Sequence, residues 1–88
     1  MIKFPEEFTQ EIEREANDRG SVSVDYYSNG KTYHVHVVNL VRFAQDAGEL
    51  IRVYGCCVIN EVYLILEGDF SRENISRGLE KVVEWTPE

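Results

Sequence analysis

The residues best equipped for chemistry in this 88-residue chain cluster in one stretch, YYSNGKTYHVHV, residues 26–37, which holds both histidines, His34 and His36. Residues i and i+2 of a strand point to the same face, so two imidazoles could approach one metal ion. Asp25 is available as a third ligand, and Ser23 with Asp25 supplies the remaining residue types of a hydrolase.

The spacing argues against both chemistries. Asn29-Gly30 is a strong two-residue hairpin signal, because a type I′ turn needs positive φ at both central residues. That turn sets Ser28 opposite Lys31, Tyr27 opposite Thr32, Asp25 opposite His34 and Ser23 opposite His36. The serine then meets one imidazole and the carboxylate the other, so nucleophile, base and orienting acid do not line up. His-x-His alone is an unspecific motif, and zinc asks for three or four protein ligands. Cys56-Cys57 lacks the Cys-x-x-Cys spacing of a redox pair, and adjacent strand cysteines point to opposite faces. The six glycines are scattered, with no phosphate-cradling run. The expectation is no catalytic residue, no metal and no cofactor. A small metal-binding protein or hydrolase centred on Asp25, His34 and His36 is the alternative.

The elements that must position these residues follow from periodicity and end signals. Phe4, Phe8, Ile12 and Ala16 recur every four residues, with Pro5 near the start and Gly20 at the end, which predicts a helix over 4–19. Residues 21–27 and 32–38 are the hairpin. One face carries Val22, Val24, Tyr26, Tyr33, Val35 and Val37; the other carries Ser23, Asp25, Tyr27, Thr32, His34 and His36. Asn39 is a helix cap, and Leu40, Phe43, Ala44 and Ala47 predict a short helix ending at Gly48. The apolar runs 50–58 and 62–67 predict a second antiparallel hairpin around Asn60-Glu61. Ser71 caps a last helix, with Phe70 able to staple onto Ile75 and with Leu79, Val82 and Val83 facing inward. The expected fold is a single α+β domain over 1–88 in αββαββα order. Two hairpins form a four-stranded antiparallel sheet, with the helices mainly on one face.

Composition bounds the function. Sixteen acidic against nine basic residues give a net charge of −7, and the basic residues are dispersed. Such a surface repels phosphate backbones, so direct nucleic-acid binding is not expected. No apolar run reaches the ~20 residues that span a bilayer. The N-terminus lacks the pattern of a secretory signal, so the cytoplasm is the expected location and no membrane role is expected.

If the helices cover one face of the sheet, Tyr27, Tyr54, Val58, Tyr63 and Ile65 are left on the open one, unless the N-terminal helix folds over it. Tyrosines are favoured at interfaces. These five residues are the expected partner-binding set. The function expected is that of a non-enzymatic acidic protein-binding module whose partner is a basic protein, a second copy forming a homodimer, or both. Its composition matches that of phage- and mobile-element-encoded inhibitors of nucleic-acid-binding proteins.

Overall fold

The hairpin is where sequence and structure agree most closely. In the computed structural model, which describes residues 1–86, β2 (Ser21–Ser28) and β3 (Lys31–Asn39) pair antiparallel. Their register is the one the turn dictates: Tyr27 against Thr32, Asp25 against His34 and Ser23 against His36. Asn29 and Gly30 both have positive φ, 52° and 79°. A side chain at Gly30 would meet nothing within 4 Å, so a substitution there tests the backbone alone. Gly30→Val is expected to lower stability by about 1–3 kcal/mol, read from urea melts.

Around the hairpin the chain departs from the expected order. Among the described residues the elements run β1 (Ile2–Phe4), α1 (Gln10–Arg19), β2, β3, α2 (Leu40–Tyr54), β4 (Val62–Leu66) and α3 (Arg72–Trp85). The helix expected over 4–19 starts at Gln10, because Thr9 caps it by accepting from the Ile12 N–H at 3.3 Å. The residues before it form β1, parallel to β2 with Ile2 against Val24. The anticipated apolar stripe is nonetheless buried: Phe4 from β1, Phe8 from the connection and Ala16 from α1 meet in one core, with Ile12 packed against it.

The second hairpin is not present. Helix α2 runs through Gly48 to Tyr54, where the Gly55 N–H closes it on the Ile51 carbonyl at 2.7 Å. Residues 56–61 belong to no strand, and β4 pairs parallel to β3, with His36 against Tyr63 and Val37 against Leu64. Parallel neighbours need a crossover of a dozen or more residues, and α2 with its following segment supplies one. The sheet is therefore mixed, in the order β1-β2-β3-β4, and only its central pair is antiparallel.

Crossover handedness accounts for the layers. The hairpin reverses strand direction while the order advances across the sheet. Right-handed β1-α1-β2 and β3-α2-β4 units must then place their helices on opposite faces. The packing agrees. On one face Val24, Val35 and Val37 join Phe8, Ala16, Phe70, Ile75, Leu79 and Val82, from α1, α3 and the segments leading into them, in the main core. On the other face Phe43 of α2 lies edge-on to Tyr63, ring centroids 5.2 Å apart. Two helices cover one face and the third lies over the other. This explains why β4 is apolar on both sides, as strands of parallel pairs commonly are. Asn39 and Ser71 cap α2 and α3 as expected, accepting from the Arg42 and Asn74 N–H groups. No helix among the described residues is long and apolar enough to cross a membrane.

Candidate functional site

The second sheet face collects the chemistry-bearing residues. Alternation along β2 and β3 puts Ser23, Asp25, Tyr27, Thr32, His34 and His36 on it, and the parallel register of β4 adds Tyr63 and Ile65. Lys3 of β1 comes beside Asp25.

The two histidines have separate partners. His34 Nδ1 lies 2.5 Å from Asp25 Oδ1, at a solvent-exposed position. His36 is engaged through both ring nitrogens. Its Nδ1 is 2.8 Å from Ser23 Oγ, and its Nε2 is 2.9 Å from Glu61 Oε2. Its ring also lies against Tyr63, with centroids 5.3 Å apart. Ser23, His36 and Glu61 thus form a continuous hydrogen-bonded chain, with the hydroxyl and the carboxylate on opposite sides of one imidazole. The register identifies the Ser23–His36 pair from the sequence. Glu61 had no local signal, since only the α2 crossover brings it over His36. Among the described residues no group of three or more His, Cys, Asp and Glu is placed to hold a metal ion. Both cysteines are free.

The five residues expected on one open face are divided by the fold. Tyr27, Tyr63 and Ile65 lie on the second sheet face, but Tyr54 is the last residue of α2 and Val58 lies in the segment leading to β4. Helix α2, not the N-terminal helix, covers the β4 side of this face, and the hairpin end stays open. Tyr63 is half-buried beneath Phe43, whereas Tyr27 is 69% exposed. Tyr27 borders an open concavity of about 510 Å³, lined also by Lys3, Glu6, Asp25 and Thr32. Lys3 and Glu6 join it only because residues 2–4 form a strand, so the helical reading of this segment concealed them.

Burial pushes the Tyr63 phenol above its ordinary pKa, and negative charge at Glu61, Asp46 and Cys57 pushes it further. The unfolded phenol titrates near ~10, so the associated stability is fully present below that pH and is lost as pH rises through the folded value. Ultraviolet titration should show a late-ionising phenol, and Tyr63→Phe should remove that phase.

No family model, curated protein or solved structure matches the chain.

Proposed function

We propose that the chain is a non-enzymatic protein-binding module that docks through the hairpin end of its second sheet face onto a partner with a basic surface. The observation that carries this reading is Tyr27, an exposed tyrosine in a concavity lined by the carboxylates of Glu6 and Asp25 and by one cation, Lys3, in a chain of net charge −7. A tyrosine brings a large contact area on two torsions, and the charge steers a basic partner toward it. Blocking a nucleic-acid-binding protein fits this chemistry, because such partners present the required basic surface.

Affinity capture from the native host, followed by titration of the purified partner, is the test. Capture should retain a basic protein whose affinity falls with salt and drops tenfold or more in Tyr27→Ala. Retention of no basic protein, or equal binding by the variant, would sink the reading.

One observation favours a second reading, a hydrolase: the Ser23–His36–Glu61 chain. In ester hydrolysis, Ser23 Oγ would attack the carbonyl carbon while His36 Nδ1 takes its proton and Glu61 stabilises the imidazolium from Nε2. The C–O bond to the alcohol would then break with that proton passing to the leaving oxygen, and water would cleave the acyl-serine. Hydrolysis of p-nitrophenyl acetate that disappears in Ser23→Ala would support this reading. A rate equal in the wild type and the variant would dismiss it.

A further inference from the structure

Helix α2 has the composition of a core helix and the exposure of a surface one. It is the most apolar of the three described helices, yet none of its residues is buried. Leu40, Phe43, Ala47, Leu50 and Tyr54 are spaced three, four, three and four apart, the interval of a helix–helix seam. The sheet occupies only the middle of that seam, where Phe43 rests on Tyr63 and Ala47 is half-buried. Both ends are uncovered: Leu40 is 65% exposed, Leu50 42% and Tyr54 72%. Ile51 and Val53 beside the seam, and Val58 and Ile59 just after it, are also more than half exposed.

We infer that this surface is the interface of a symmetric homodimer, with α2 of one copy packed against α2 of a second. Three observations select a second copy as the occupant. The first is electrostatic. Residues 40–60 contain two arginines and two carboxylates, so they carry no net charge in a chain of −7. The four are paired within the helix, Arg42 with Asp46 at 3.2 Å and Arg52 with Glu49 at 2.5 Å. A neutral patch gives a basic partner nothing to be steered by, while two copies can meet on it without bringing their acidic surplus together. The second is exposure. Leu40, Leu50, Ile51, Tyr54, Val58 and Ile59, on or beside the seam and just after it, are each 42–79% exposed, so apolar surface stands open along the length of α2. The third is shape. The radius of gyration is 13.4 Å, against about 12 Å for a compact domain of this length, and the excess fits a helix not drawn fully onto the sheet. Closed two-fold pairing is the commonest arrangement for such a surface.

Sedimentation equilibrium on the full chain tests the inference. The 10.2 kDa chain should sediment at twice that mass, and its melting temperature should rise with concentration. Ile51→Glu beside the seam and Tyr54→Lys within it each place a charge on this surface at an exposed position. Each should weaken the dimer at least tenfold while leaving a folded monomer by circular dichroism. A wild type that stays monomeric up to ~1 mM overturns the inference. So does a dimer that survives both substitutions. If both variants unfold, the seam is part of the monomer's own core and the inference fails in that way. Capture of a basic partner through Tyr27 is measured independently, so either result can fail without the other.

Discussion

Phe70→Ala is expected to lower stability by about 3–5 kcal/mol, the range for emptying a buried aromatic site. Phe70 is 2% exposed and belongs to the main core with Phe4, Phe8, Ile75 and Leu79. It precedes the Ser71 cap, and Ile75 is the fourth residue of α3, the pair of positions that staples a helix entry. Its backbone is held as well: the Phe70 N–H donates to Asn17 Oδ1 at 2.9 Å, and Arg72 donates to the Phe8 carbonyl. Asn17 belongs to α1 and Arg72 to α3, so the site joins the two helices of the main core, and few neighbours are free to collapse into the cavity. Domains have only ~5–15 kcal/mol in total, so this variant is expected to be partly unfolded at room temperature. Urea melts of Phe70→Ala and of the milder Phe70→Leu would give the graded loss. A change below ~1 kcal/mol for the alanine variant would show that α3 does not depend on this contact.

Gly20→Val carries the second large effect, expected at about 2–4 kcal/mol. Gly20 ends α1 with φ of 74°, its N–H bonded to the Ala16 carbonyl at 2.7 Å. A β-branched residue is strained there. Space is also lacking, because a Cβ would stand 2.5 Å from Asn39 Nδ2. Asn39 is not free to move aside. Its Oδ1 caps α2 by accepting from the Arg42 N–H at 2.7 Å, and its own N–H donates to the Gly20 carbonyl at 2.9 Å. One side chain at Gly20 therefore disturbs the end of α1 and the start of α2 together. Denaturant melts with far-ultraviolet circular dichroism should show both lower stability and lost helicity. Wild-type values for both would mean that Asn39 can rotate away without uncapping α2.

Asn39 and Gly20 were readable as cap and stop from the sequence alone, but their contact was not, since eighteen intervening residues form the hairpin that brings them together. The same division applies along the whole chain. What is decided within a few residues can be read from the chain directly. Asn29-Gly30 set the turn and thereby the pairing of Ser23 with His36 and Asp25 with His34. Ser71 set the start of α3, and periodicity marked Phe4, Phe8, Ala16, Ile75 and Leu79 for burial.

Which strands become neighbours is settled only when the whole chain packs. Ile2–Phe4 is too short to show alternation and is a strand because β2 accepts it as a parallel partner. Residues 50–54 have the look of a strand and are helical: α2 continues through Gly48 and ends only where Gly55, at φ of 76°, closes it on the Ile51 carbonyl. A helix-interior glycine costs only about 1 kcal/mol relative to alanine, too little by itself to end a helix. With α2 extended, Val62–Leu66 could not fold back as a hairpin and instead joined β3 in parallel. Crossover handedness then sent α2 to the face opposite α1, over Tyr63, and carried Glu61 onto His36. A turn encodes its geometry in two adjacent residues. A parallel pair encodes it nowhere locally, because its partners meet only after the helix between them has found a face to cover.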